Sequence, residues 1–295
     1  MRDDYVCVND SVVKRREARI PAMDRGFLFG DGFFETTRIV GGTPFRLARH
    51  LERMSAACHE TGWEWVPQPG RLGESVQRLI RRNEVEEGYL RISVSRGLHD
   101  GPLTELRATD PTVLIDAHPM DLAPLDSASP ITLARAPWRR NESSPVSSMK
   151  SLSYQDSLLA LARGRGRGAE EVYFLNGRDE VAEGSISNIF FVSDGTVLTP
   201  QPDCGLLPGI GREAVLEICH SQDIPHRSGR YAESELLEAE EIFCTNSLRG
   251  VMPVERVIEE GGRTLGERPL TARLQRLFAA LVRDECAGEP ERSSG

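Results

Sequence analysis

Residues His118 to Pro130, HPMDLAPLDSASP, hold three prolines and little hydrophobic periodicity, so neither a regular helix nor a central strand passes through them. They interrupt a chain of 295 residues and leave a stretch on either side long enough for a core of its own. The division expected is therefore a small N-terminal domain of residues 1–118, a linker of 119–130, a larger C-terminal domain of 131–286 and a frayed tail of 287–295. In the first stretch Tyr5 to Val8 and Phe34 to Val40 are strand-like, and Pro44 to Gly62 carries Leu47, Leu51, Met54 and Ala57 at helical spacing. A second helix is expected from Arg71 to Asn83, with strands from Gly88 to Arg96 and Pro111 to Ala117.

The second stretch opens with a strand, Ile131 to Ala136, followed by a polar loop, Arg139 to Ser148, that ends at Met149-Lys150. A helix from Tyr154 to about Arg163, a strand Glu171 to Asn176 and a hairpin Asn188 to Pro200 turning at Asp194-Gly195 come next. A helix begins near Gly211, Glu241 to Thr245 is strand-like, and Thr271 to Val282 is an amphipathic closing helix. Arg163-Gly164-Arg165-Gly166-Arg167-Gly168 looks like a phosphate loop, but it ends a helix instead of opening one and reads better as a solvated connection.

Charge excludes several partners. With 36 Lys and Arg against 45 Asp and Glu, the net charge of -9 has the wrong sign for nucleic acid or an anionic membrane. No apolar run reaches the ~18–20 residues of a membrane span, and Met-Arg-Asp-Asp-Tyr is too polar and acidic for a signal peptide, so a cytoplasmic location is expected. The six cysteines form no CxxC pair and the six histidines no ligand pattern, so reduced, packed thiols and no metal are expected.

Only Lys14 and Lys150 are lysines, and the other 34 basic residues are arginines. Arginine serves wherever a positive charge suffices, so a retained lysine suggests chemistry that needs a deprotonatable amine. Lys14, in Val13-Lys14-Arg15-Arg16-Glu17, belongs to an ordinary charged surface. Lys150, between a polar loop and an apolar helix, either projects into a cleft or is a solvated surface lysine. Gly209-Ile210-Gly211 at a helix start is either a phosphate site or a plain turn. Glu183 before the small residues Gly184 to Ser187 could meet a protonated nitrogen or be a turn glutamate, and Thr245-Asn246-Ser247 is a polar strand end or a polar turn.

Together these segments resemble the fold-type IV pyridoxal-phosphate enzymes, which include branched-chain and D-amino-acid aminotransferases and aminodeoxychorismate lyase. The resemblance runs from Asp24-Arg25-Gly26-Phe27-Leu28-Phe29-Gly30-Asp31-Gly32-Phe33-Phe34-Glu35-Thr36 through His50-Leu51-Glu52-Arg53-Met54, Lys150-Ser151-Leu152-Ser153-Tyr154 and Glu183 to Asn188, to Thr245-Asn246-Ser247-Leu248-Arg249-Gly250-Val251-Met252-Pro253-Val254. It implies a two-domain α+β, α/β chain with pyridoxal 5'-phosphate between the domains, generally a homodimer whose partner contributes to the substrate pocket. By resemblance Lys150 would hold the cofactor through its amine and move the proton, and Arg53 would clamp the phosphate. The Ile210 and Gly211 N–H groups and the Thr245 hydroxyl, with Asn246 beside it, would complete the phosphate cup. Glu183 would pair with the ring nitrogen, and Tyr154 would face the phenolic oxygen.

The reaction is harder to place. D-amino-acid aminotransferases typically carry a tyrosine where this chain has Phe34, and an Arg-x-His triplet that Arg96-Gly97-Leu98-His99-Asp100-Gly101-Pro102 lacks. Branched-chain aminotransferases usually carry Gly-Asn-Tyr after the lysine and Thr-Gly-Thr at the later strand end, where this chain has Ser-Leu-Ser-Tyr and Thr-Asn-Ser. Thr-Asn-Ser, Phe-Glu-Thr, the Lys-Ser-x-x-Tyr spacing and Gly229-Arg230-Tyr231 are similar to aminodeoxychorismate lyases of folate synthesis, although many of those have asparagine where Gln155-Asp156 stands. The resemblance thus implies a lyase that releases 4-aminobenzoate and pyruvate, with an aminotransferase for D- or branched-chain amino acids as the alternative. Arg38 and Arg96, near strand ends, are candidates for a substrate carboxylate or for structural ion pairs, with Phe34 and His99 also on the substrate side.

Overall fold

Two antiparallel-rich sheets organise the chain, and short hairpins alternate in them with pairs of strands distant in sequence. The computed structural model describes residues 4–65, 67–98, 101–102, 110–259 and 262–287. The described residues form two compact units, one within 4–122, 150–153 and 281–287, the other within 123–149 and 154–280.

The first unit is built on β1 (Tyr5–Val8), β2 (Ser11–Lys14), β3 (Gly32–Val40), β4 (Thr43–Pro44), β5 (Gly88–Ser95) and β6 (Thr112–Pro119), in the order β2-β1-β6-β5-β3-β4. Three helices accompany them: α1 (Arg25–Phe29), α2 (Leu47–Glu60) and α3 (Pro69–Asn83). Tyr89-Leu90-Arg91-Ile92-Ser93-Val94 alternates polar and apolar, and Leu90, Ile92 and Val94 are buried with Val76, Leu79 and Met54 of the helices. The other face of the sheet carries Phe34, Thr36 and Arg38 opposite Ser93, Arg91 and Tyr89.

A remote segment joins this unit at β3. The Phe34 N–H donates to Lys150 O and the Leu152 N–H to Gly32 O, each at 2.9 Å, and Phe33 and Ser151 form an antiparallel bridge. Residue 32 must be glycine for this approach: a Cβ there would lie 2.3 Å from Val94 O and 2.7 Å from Leu152 Cδ1. The tight Gly-Asp-Gly element is thus the seat of the lysine-bearing segment.

The second unit holds β7 (Ile131–Arg135), β8 (Glu171–Leu175), β9 (Val181–Gly184), β10 (Asn188–Ser193), β11 (Thr196–Pro200), β12 (His226–Gly229), β13 (Glu241–Asn246), β14 (Gly250–Ile258) and β15 (Arg263–Thr264). Their order is β12-β11-β10-β13-β14-β7-β8-β9, with β15 on β14. The helices are α4 (Gln155–Arg165), α5 (Ile210–Ser221), α6 (Glu233–Glu238) and α7 (Pro269–Cys286). The hairpin β10–β11 turns at Asp194-Gly195, as its sequence predicts, with φ of 48° and 68°. Stacked Phe190 and Phe243, with centroids 4.9 Å apart, join β10 to β13. All six cysteines are buried free thiols, and no described helix is long and apolar enough to cross a membrane.

Candidate active site

Strand β3 sends Phe34 and Glu35 to opposite faces. On the α2 side the buried Glu35 accepts from Arg53 Nε at 2.8 Å and Arg53 Nη2 at 2.6 Å, one on each oxygen. His50, three residues before Arg53 and so on the same helix face, places Nδ1 2.7 Å from Glu35 Oε2. Burial pushes the Glu35 carboxyl up, but Arg53 and His50 outweigh it and hold it at about 2. Burial lowers His50 against the pull of Glu35, so the ring is neutral and donates from Nδ1. Arg53 therefore stands in a fixed orientation on α2.

On the opposite face, Lys150 Nζ lies 4.5 Å from the centroid of the buried Phe34 ring, and Arg91 Cζ lies 3.9 Å from the same centroid. The register that sets Thr36 opposite Arg91 and Phe34 opposite Ser93 produces this grouping. Arg91 Nε also donates to Ser93 Oγ at 3.3 Å. An amine, an aromatic face and a guanidinium are brought together.

In the second unit Glu183, on β9, is buried and engaged on both oxygens. Arg140 Nε and Nη2 donate to Oε1 at 3.1 and 2.8 Å, and the Leu207 N–H donates to Oε2 at 2.9 Å. Asn188 Nδ2 donates to Leu207 O at 2.8 Å, which ties down the turn before α5. Beyond Glu183, the residue 185–187 turn wraps a second buried carboxylate, Glu171, which accepts from Ser185 Oγ, from the Ser185 N–H at 3.0 Å and from Ser187 Oγ at 2.7 Å. Tyr154 is placed by the same turn, its hydroxyl donating to Ser185 O at 3.0 Å.

Helix α5 starts at Ile210 after Gly209 with no side-chain cap, which leaves its first N–H groups open. Gly211 packs on the backbone of Asn246, a Cβ there lying 3.4 Å from Asn246 C and O. Next to Asn246, Thr245 Oγ1 is buried without a hydrogen-bond partner among the described residues. Open helix N–H groups beside an unpartnered buried hydroxyl fit a phosphate. The Asn246 side chain is turned elsewhere, its Oδ1 accepting from the Leu248 and Arg249 N–H groups at 3.1 and 2.8 Å.

The remaining sequence candidates divide. Arg96 donates from Nε to both Asp31 oxygens, at 3.0 and 2.9 Å, and lies 4.9 Å over Trp63, the geometry of a structural pair. Arg38 is buried, with Glu87 4.0 Å away, and burial lowers its guanidinium pKa against that carboxylate. His99 lies outside the described residues. Sequence reasoning passed over Glu35, Arg91, Arg140 and Glu171. Glu35 stood inside a recognised motif and Arg91 on the polar phase of an alternating strand, whereas nothing local marks Arg140 or Glu171. Among the described residues no group of three or more His, Cys, Asp or Glu is arranged for a metal ion.

The family described as amino-transferase class IV matches residues 32–257. The aminodeoxychorismate lyase of Bacillus subtilis (strain 168) is 28% identical over 284 residues, covering 95% of either chain. A D-alanine aminotransferase of Listeria monocytogenes is 25% identical, covering 97% of this chain and 98% of its own. The crystal structure of the branched-chain aminotransferase of Thermoproteus uzoniensis with norvaline is similar with a TM-score of 0.85 and 26% identity, over 96% of both chains.

Proposed function

Because the chain belongs to the amino-transferase class IV family of pyridoxal-phosphate-dependent enzymes, we propose that it is a 4-amino-4-deoxychorismate lyase, yielding 4-aminobenzoate and pyruvate. The observation that carries this reading is the Phe34 ring with Lys150 and Arg91 against it. A cyclic substrate with an amine at one end and a carboxylate at the other calls for a reactive amine, a flat apolar surface and a guanidinium. The similarity to the Bacillus subtilis lyase over nearly the whole of both chains supports it.

In this reading Arg53, the Ile210 and Gly211 N–H groups and the Thr245 hydroxyl hold the cofactor's phosphate, Asn246 shaping the turn beside them. Glu183 would pair with the ring nitrogen, and Tyr154 would face the phenolic oxygen. When bound, the cofactor supplies an electron sink. Lys150 would be the residue that holds it through its amine, and the same amine would move the proton of the amine-bearing ring carbon. The C–O bond on the adjacent carbon breaks, and the ring is left aromatic. The enolpyruvate leaves with the bonding pair and gains a proton to become pyruvate, so atoms and charge balance. Arg91 receives the ring carboxylate, with Arg38 on the same face of the sheet, whereas Arg96 keeps its structural pair with Asp31.

The alternative, transfer of an amino group between a D- or branched-chain amino acid and a 2-oxo acid, is favoured by the likeness to the Listeria and Thermoproteus aminotransferases over nearly the full chain. Chromatographic detection of 4-aminobenzoate with equimolar pyruvate from aminodeoxychorismate tests the lyase. Conversion of the cofactor to its amine form by D-alanine, L-glutamate or L-leucine, with no 4-aminobenzoate formed, overturns it in favour of the aminotransferase. The reading includes a homodimer: Ile20, Met23, Phe29 and Phe27, the last 77% exposed, crowd a short stretch of surface that a second copy would cover. A monomeric mass in sedimentation at micromolar concentration refutes this part.

A further inference from the structure

Arg139 and Arg140 are consecutive in a polar loop and have opposite fates. Arg139 turns outward, its Nη1 donating to Asn176 O at 3.0 Å and its Nη2 pairing with the exposed Asp179. Arg140 turns inward, where its guanidinium is 4.5 Å from the Phe174 ring centroid and its Nη2 reaches Ser157 Oγ at 3.1 Å. Its backbone N–H is fixed to Leu175 O at 2.8 Å. From this seat, built by α4 and β8, it donates twice to Glu183 Oε1. Its side chain is 19% exposed where Arg139's is 51%, and drawing a guanidinium partly out of water costs free energy that its donations to Glu183 offset.

We infer that Arg140 is a positioning residue: it orients the Glu183 carboxylate and biases the proton shared with the cofactor's ring nitrogen toward the nitrogen. The inference rests on the reading of Glu183 as the partner of that nitrogen. The electrostatic sense is definite. A guanidinium donating directly to a carboxylate is nearer to it than to whatever the carboxylate pairs with, so it stabilises the negative charge more than it disfavours a cation beyond. Leu207, the other donor to Glu183, stabilises the same orientation but brings no net charge. Arg140 thus acts on the electron sink through Glu183.

The test is the 15N resonance of holoenzyme carrying cofactor labelled at the ring nitrogen, read for the unchanged protein and for Glu183→Gln, Arg140→Met, Arg140→Gln and Arg140→Lys. The unchanged protein is expected at the pyridinium position. Arg140→Met and Arg140→Gln are expected to move toward neutral pyridine and to weaken cofactor binding about tenfold, and Arg140→Lys to recover most of the resonance shift. Arg140→Gln retains a polar donor and removes the charge, so it decides the question if Arg140→Met does not fold. If Glu183→Gln moves the resonance and Arg140→Gln does not, Arg140 merely neutralises a buried carboxylate and the inference falls while the Glu183 reading stands. If Glu183→Gln leaves the resonance in place, the Glu183 reading falls and the inference with it.

Discussion

Replacing Glu35 by glutamine removes the charge under Arg53 while nearly preserving volume, and the structure sets both the size and the pH window of the effect. The carboxyl falls from its ordinary 4.5 to about 2, since Arg53 and His50 overcome burial. At about 1.4 kcal/mol per tenfold change in proton affinity, this is about 3 kcal/mol of stability. The pKa is depressed in the folded state, so this contribution is complete above pH 4.5 and is lost as pH falls toward 2. Urea denaturation of the unchanged protein and of Glu35→Gln at several pH values isolates it, because all other carboxylates titrate alike in both. The difference between the two should be about 3 kcal/mol at neutral pH and should shrink steadily below pH 4.5. A difference that stays constant from neutral to pH 3 refutes the reasoning, since the loss would then come from packing or hydrogen-bond number and not from the ion pair.

Lys150→Ala should lower turnover by about a thousandfold or more while leaving the fold intact by circular dichroism; turnover within tenfold of the unchanged enzyme would remove Lys150 from the chemistry. Arg91→Leu should raise KM about tenfold to a hundredfold, the worth of a charged hydrogen-bonded pair, with a smaller change in kcat; an unchanged KM would show that the substrate carboxylate binds elsewhere. Gly32→Ala forces a Cβ against Val94 O and Leu152 and should cost about 3 kcal/mol in a thermal melt; an undisturbed melting temperature would contradict the close approach of the lysine-bearing segment.

The elements that sequence made legible are those whose burial follows one period. The helices around Leu51 and Leu79 and the strands around Phe190 and Ile242 are amphipathic or continuously apolar, and they were expected within a few residues. Elements shaped by partners were not. Ser11–Lys14 is a short edge strand with little to bury, α1 is a five-residue helix held by the Asp24 cap and its glycine end, and Val181–Gly184 depends on pairing with β8. The same division holds in the site. Lys150, Glu183 and Thr245 stood out by residue type and motif, and a helix start before Gly211 by its glycines. Arg140 did not, because its meaning depends on meeting Glu183, 43 residues later, across β8 and β9. The alternation of β5 sets Arg91 on its polar face, whereas Arg96 lies just past the strand end and is held by Asp31.

One peptide bond in β3 separates two faces with opposite requirements. Phe34 faces Lys150 and Arg91, and Glu35, the next residue, faces Arg53 and His50. Strand side chains alternate strictly, so a register slip of one residue in one direction would put Glu35 in the place of Phe34 beside the Lys150 amine, and in the other direction would put Phe34 in the place of Glu35 beside Arg53. Eight consecutive pairs with β5, from Gly32 opposite Ser95 to Ile39 opposite Gly88, oppose such a slip along one edge of the strand. On the other edge the Lys150 segment bonds to the Gly32 and Phe34 backbone, and Gly32 admits it only in the present register. The position of the amine and the orientation of Arg53 are therefore set by the same register, and a change that shifts β3 should disturb both together.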